Sequence, residues 1–274
     1  MFKLTTPRHN PSAQTEDLRE KLPDALAAAL PYSPYLTRLA RMRPETVPDL
    51  KTSDGQGLTQ RVMEKVEALR SDPDETSVLR GLRQSKSDIH LILSQLDLSC
   101  QWNWQSVTSS LSRFADAAIE TALWLACRKA ADRGWIDWQD PSRPVPGLFV
   151  LSLGKLGGCE LNYSSDVDLV AMYDPDIFPS AAANAADTAR RIIQAMSQHL
   201  ENLTEHGYVL RVDLRLRPDP RSTPVAMSTQ AAEVYYESRG QNWERMAYIK
   251  ARPCSGDLRA AHAFLKEMEP FVWR

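Results

Sequence analysis

Apolar residues recur at helical spacing through the first half of the chain, and they gather into short runs and alternations in the second half. The pattern predicts helices first and strands afterwards. Leu18, Leu22, Leu26 and Leu30 lie four apart before Pro31, and Val62, Val66 and Leu69 follow at helical steps of four and three before the turn Ser71-Asp72-Pro73-Asp74. A third helix is predicted from about Asp74 through Asp97 with Leu79, Leu82, Ile89 and Leu93 inward. A long fourth one is lined by Leu111, Phe114, Ala118, Ala122 and Leu125 and stops near Gly134. These stripes are packing surfaces, and they make residues 1–140 a largely helical region. The proline-rich run DWQDPSRPVPG at 137–147 ends the helical period, and its prolines at 141–146 mark a topological boundary rather than a flexible hinge. Residues 141–274 form the second unit.

That unit opens on LFVLSLGKLGGCELNYSSDVDLVAMY, residues 148–173. It reads as a buried strand, a glycine turn (Gly154, Gly157, Gly158), a connector closing on Ser164 and Ser165, and a second strand carrying Asp166 and Asp168. A strand has period two, so both aspartates project from one face, with Val167 and Leu169 on the other. Neighbouring carboxylates repel, and a hard divalent cation such as Mg²⁺ relieves the repulsion. The glycines let backbone N–H groups approach phosphate oxygens, and Lys155 adds a point charge. Each feature alone is common on ordinary loops. Joined by a fixed segment, with Asp166 twelve positions after Gly154, they resemble the nucleotidyltransferase fold of the DNA polymerase beta type, in which a third carboxylate arrives from a later strand.

The candidate third carboxylate is Asp213, in YVLRVDLRLRP at 208–218. Alternation puts Val212, Leu214 and Leu216 on one face and Arg211, Asp213, Arg215 and Arg217 on the other. Beside a carboxylate pair, one acid among guanidiniums suits metal and phosphate together. Between the strands, Ile192, Met196, Leu200 and Leu203 predict a crossover helix stopped by Gly207. After 218 the chain reads as loop to Met227. A helix capped by Ser228 follows, and then another from about Asn242 to Arg252.

In order, LGKLGGCELNYSSDVDLV, VDLRLRP and YYESRGQNWERMAYIKARPCSGD resemble the bacterial glutamine synthetase adenylyltransferase/adenylyl-removing enzyme family. Its members carry two related nucleotidyltransferase domains, and the wording of Trp243-Glu244-Arg245 and of 248–252 resembles the N-terminal, adenylyl-removing copy. The resemblance is dense from about Leu148 to Asp257 and vague before Gln101. It implies an α+β, DNA polymerase beta-type fold with a mixed sheet. It also implies one or two Mg²⁺ ions on Asp166, Asp168 and Asp213, which are the catalytic residues. Gly154, Lys155, Gly157, Gly158 and Ser165 would hold nucleotide phosphate, and Arg215 and Arg217 the incoming phosphate. Arg245, Lys250 and Arg252 take functional places without assigned roles.

Composition narrows the partners. With 33 Lys and Arg against 35 Asp and Glu, the net charge is −2, which offers no general attraction to nucleic acid. The four cysteines have no metal-site or disulfide spacing, no run is long enough to span a membrane, and the N-terminus lacks a signal peptide's apolar stretch, so a reducing cytoplasm is expected. The five histidines read as surface or helix-end residues, and Tyr235-Tyr236 as packing.

The implied reaction is phosphorolysis of adenylylated glutamine synthetase by orthophosphate, giving ADP and the free tyrosine. The PII signal protein would act through a longer chain, of which this sequence looks like an N-terminal portion. Three alternatives remain: ATP-dependent adenylylation of glutamine synthetase, a non-catalytic regulatory module, and a nucleic-acid polymerase or tRNA nucleotidyltransferase.

Overall fold

The computed structural model describes residues 18, 20–52, 54–181 and 184–273. Helices come first: α1 (Asp24–Ala29), α2 (Pro34–Met42), α3 (Asp49–Thr52), α4 (Gly55–Ala68), α5 (Glu75–Leu98) and α6 (Trp104–Asp132). Side-chain caps fix where most of them begin. Ser33, Asp54, Asp74 and Asn103 accept N–H groups of the first turns of α2, α4, α5 and α6. Leu82, Ile89 and Leu93 face inward as expected, whereas Val78 takes the buried place expected of Leu79, which is only half-buried.

The sheet follows: β1 (Leu148–Ser152), α7 (Gly154–Gly157), β2 (Val167–Tyr173), α8 (Ala185–Glu201), β3 (Val212–Asp213), β4 (Ala226–Ser228), α9 (Thr229–Arg239), α10 (Asn242–Tyr248), β5 (Arg252–Gly256) and α11 (Leu258–Val272). Its order is β3-β2-β1-β5, and β4 also pairs β2. β1 runs antiparallel to β2 and β5, while β3 and β4 both run parallel to β2, Val212 and Asp213 opposite Val167 and Asp168, Ala226–Ser228 opposite residues 171–173. The sheet is therefore mixed and the class α+β. α8 makes the crossover that a parallel neighbour requires.

Period-two alternation covers both faces of the sheet. Val150 of β1 with Val167, Leu169 and Ala171 of β2 packs with Ile119 and Ala122 of α6 and Ile192 and Met196 of α8. Phe149 and Leu151 with Val170 and Met172 pack on the other side with Tyr236, Tyr248, Phe264 and Met268. The first of these clusters also contains Leu26, Val66 and Leu82, so one core runs from the helices into the sheet across the 137–147 linker. Polar ties reinforce it. From α6, Glu120 accepts from Ser255 Oγ and Gly256 N, both at 2.8 Å, and Asp116 meets Arg252 at 2.9 Å. Arg83 of α5 is buried and donates to the carbonyls of Leu79 (2.9 Å), His199 (3.2 Å), Asn202 (2.6 Å) and Gly207 (2.9 Å). It thereby anchors the C-terminal end of α8 and the turn leading to β3.

Several boundaries differ from the pattern. α8 ends at Glu201, and Leu203 is 78 % exposed beyond it; Gly207 (φ +87°) belongs to a separate turn closed by Thr204. The alternating run 208–218 yields only the two-residue β3, because the Asp213 carboxylate takes the Arg215 N–H (2.8 Å) and turns the chain. Residues 226–228, expected as loop and cap, form β4, with Ser228 still capping α9. Helix α10 stops at Tyr248, and Arg252 opens β5 instead of closing a helix. His90 and His199 are buried rather than superficial, His90 Nδ1 lying 2.7 Å from the Tyr35 hydroxyl. Tyr236 is buried, donating to the Tyr248 hydroxyl at 3.1 Å. Among the described residues no helix is long and apolar enough to cross a membrane.

Candidate active site at the paired aspartates

Parallel pairing of β2 with β3 sets Asp168 directly beside Asp213. Asp166 stands one residue before β2, where its carboxylate accepts from Arg211 Nε. The same guanidinium donates through Nη2 to the Ser164 carbonyl at 2.5 Å, tying the connector to the segment that enters β3. Asp213 is enclosed by Arg215, whose Nε lies 2.9 and 3.0 Å from its oxygens and whose Nη2 lies 2.5 Å away. Those bonds hold the Asp213 carboxyl below the usual carboxylate range.

Asp168 behaves oppositely. Burial raises its pKa first, and the charges of Asp213 and Asp166 raise it further, against smaller pulls from Arg215 and Lys155. Its neighbour across the turn is Gly154, at φ +55°, where an added Cβ would lie 2.3 Å from Asp168 Oδ2. The glycine segment forms the short helix α7 rather than an open loop. The Gly157 and Gly158 N–H groups donate to the carbonyls of Leu153 (2.8 Å) and Gly154 (3.1 Å), so these two close the turn instead of facing solvent. Lys155 Nζ reaches Ser165 Oγ at 3.4 Å, and that hydroxyl donates to Asn162 Oδ1 at 2.8 Å.

Asp166, Asp168, Asp213, Gly154, Lys155, Ser165 and Arg215 are thus gathered in one place. The remaining basic residues are held elsewhere. Arg217 is caged by backbone carbonyls, donating to Leu214 (2.6 Å), Pro220 (2.8 Å) and Thr223 (3.3 Å). Arg245 lies over the Phe271 ring, 5.0 Å from its centroid. Lys250 pairs with Glu160, while its carbonyl is so near Gly157 that a Cβ there would sit 2.1 Å from it. Arg252 pairs with Asp116 and donates to the Leu156 carbonyl at 3.0 Å. Lys250 and Arg252 therefore brace α7 from behind. Arg211 belongs to the guanidinium face around Asp213, but the resemblance assigns it no role of its own. Its signal was its place two residues before Asp213, on the same face of the alternating run.

Three carboxylates are a donor set suited to a hard, oxygen-bound cation. As they stand, Arg211 and Arg215 supply the positive charge at Asp166 and Asp213, and among the described residues no three His, Cys, Asp or Glu side chains converge to hold a metal ion. The donor chemistry fits, and closing the carboxylates around one ion requires the two arginines to turn away.

The sequence that builds this site has relatives among known proteins. Residues 24–267 match the profile of a family described as glutamate-ammonia ligase adenylyltransferase, GlnE. The bifunctional glutamine synthetase adenylyltransferase/adenylyl-removing enzymes of Caulobacter vibrioides and Mesorhizobium japonicum are 42 % and 40 % identical over 91 % and 92 % of this chain. That of Xanthobacter autotrophicus is 41 % identical over 96 %. The chain spans only 26 %, 26 % and 27 % of those relatives, respectively. A profile match running from α1 into α11 takes in the helices, the sheet and every carboxylate described above, so the chain belongs to the glutamate-ammonia ligase adenylyltransferase family.

Proposed function

We propose that this chain is an adenylyl-removing unit with a DNA polymerase beta-type nucleotidyltransferase fold, acting by phosphorolysis on adenylylated glutamine synthetase. The observation that carries the proposal is the in-register pairing of Asp168 with Asp213 beside α7. The direction of reaction is supported by the wording of Trp243-Glu244-Arg245 and of 248–252.

In this reaction an oxygen of orthophosphate attacks the adenylyl phosphorus, the bond to the tyrosine oxygen breaks, and ADP and a tyrosine phenolate are released. A phenol has a pKa of about 10, so the leaving group needs little protonation and no dedicated general acid is required. Asp166, Asp168 and Asp213 would hold one or two Mg²⁺ ions. Bound there, the metal supplies neutralisation of charge on the phosphoryl oxygens. Lys155 and Ser165 hold the nucleotide phosphate from the α7 side. Arg215 is 82 % exposed at its side chain and is free to swing from Asp213 onto the incoming phosphate. Gly154 keeps the Asp168 carboxylate against the turn. On this reading the partners are adenylylated glutamine synthetase, orthophosphate and ADP in the cytoplasm, with PII acting through a longer chain.

A paired assay with Mg²⁺ tests the proposal. One arm supplies adenylylated glutamine synthetase and orthophosphate and measures ADP; the other supplies unmodified glutamine synthetase and ATP and measures adenylyl-tyrosine. Turnover in the first arm alone supports the assignment. Turnover in the second alone reverses the direction, and silence of a folded chain in both favours a regulatory module.

A further inference from the structure

Beside the carboxylates, on the side of the helical region, lies a group of cations that the reaction above does not use. Lys86 projects from α5 onto Tyr208, its Nζ 4.0 Å from the ring centroid and 3.2 Å from the Tyr208 carbonyl. Arg38 of α2 lies over Tyr35, 5.6 Å from that ring's centroid, and Tyr35 is fixed by His90. Arg211 comes from the other side, bonded to Asp166 and to the Ser164 carbonyl.

The charge in this corner is not balanced. Asp166 pairs with Arg211, but no carboxylate is salt-bridged to Lys86 or Arg38 among the described residues. Asp88, the acid next to Lys86 along α5, is taken by Arg43 and Lys65. Lys86 is half-buried, and burial first, then the charges of Arg38, Arg211 and Arg83, push its ammonium down to about 8. A surplus of cationic donors around a half-buried ammonium, joined to Asp166 through Arg211, is the environment that an oxyanion relieves.

We propose that Arg38, Lys86 and Arg211 form a binding site for a phosphate-class oxyanion at the edge of the aspartate site. Its identification with the attacking orthophosphate rests on the adenylyl-removing reading; the binding itself does not. Three elements contribute one cation each, so the site exists only where α2, α5 and the segment entering β3 meet. Of the three, only Arg211 lies on the face of the alternating run whose guanidiniums suit phosphate; Arg38 and Lys86 lie outside the motifs.

The test is equilibrium binding in the absence of glutamine synthetase, at fixed ionic strength with Mg²⁺, titrating the chain with inorganic phosphate and, separately, with ADP. Lys86→Met is expected to weaken inorganic phosphate about tenfold and Arg38→Gln about threefold, with Lys86→Arg retaining most of the affinity. Arg38 is exposed, so its variant tests the site even if Lys86→Met misfolds. Loss confined to inorganic phosphate assigns the site to the free anion. Equal loss for ADP keeps the site but moves it to a nucleotide phosphate, overturning the orthophosphate assignment. Wild-type affinity for both ligands in folded variants, or no binding by the wild type, overturns the site. Because turnover is not the readout, a failed phosphorolysis assay and a failed binding assay remain distinct results.

Discussion

The Asp168 carboxylate occupies the space that a side chain on Gly154 would need, its Oδ2 lying 2.3 Å from where the Cβ would be built. With φ at +55°, the glycine is required twice, by backbone conformation and by contact. Gly154→Ala is expected to cost about 1–2 kcal/mol in stability from the left-handed backbone. Displacement of Asp168 is expected to lower turnover by about 100-fold. Denaturant unfolding and kcat for the same variant separate the two effects.

Asp166→Asn and Asp168→Asn are each expected to abolish turnover while leaving the fold intact. The Asp168 carboxyl is raised by burial and by its acidic neighbours, so removing its charge at neutral pH relieves repulsion. The thermal midpoint of Asp168→Asn is therefore expected at or above that of the wild type. Near-normal phosphorolysis by either variant would remove the metal-ligand assignment.

Arg215 and Arg217 are adjacent on the same pattern but are expected to respond differently. Arg215→Ala removes an exposed side chain and is expected to raise the KM for phosphate with little change in stability. Arg217→Ala strips the donors from the carbonyls of Leu214, Pro220 and Thr223 and is expected to cost about 1–2 kcal/mol. Steady-state kinetics and unfolding curves on both variants check the contrast.

Arg83→Met is expected to destabilise the chain by about 2–3 kcal/mol, because the buried carbonyl of His199 and the part-buried ones of Asn202 and Gly207 lose a shared donor. Hydrogen exchange should show the loss concentrated in the turn at 202–210, ahead of β3. Uniform loosening of the whole chain would argue against a local anchor.

Asp116 gives a pH signature. Burial raises its carboxyl to about 6 despite the adjacent Arg252. Against an unfolded value of about 4, the native chain holds an extra proton between these limits, so this group's contribution to stability falls as pH rises from about 4 to 6. His90, pushed well below its ordinary value by burial, has the opposite slope, so the measurement must be a difference. The stability of Asp116→Asn relative to wild type is expected to improve across that window and to stay level above it.

The long-period features of the fold were legible in the sequence. Apolar stripes gave α4, α5 and α6, and the buried run at 148–153 gave β1, because spacing alone specifies which face is covered. The short strands were not. Pro253 sits inside β5 next to Cys254, the residue skipped where the pairing with β1 shifts between Val150 and Leu151, and a proline in so short a run hides a strand. β3 keeps only two residues because the Asp213 side chain competes for the Arg215 N–H, a choice that alternation cannot express. At the site, the positions of the acids along the chain gave their proximity. The employment of the basic residues was not visible, because Arg217, Lys250 and Arg252 find their partners through tertiary contact.

Asp116 and Glu120 reach from α6 to Arg252, Ser255 and Gly256 of β5, the strand on the far edge of the sheet from β3. The smallest fragment that could be transplanted into another protein therefore does not start at β1. A chain begun after the 137–147 linker would carry all three aspartates yet lack both acceptors for β5, leaving Arg252 without its carboxylate behind α7. Such a fragment is expected to express as a sheet with one unpinned border. In an engineered chimera the inherited unit has to include α6.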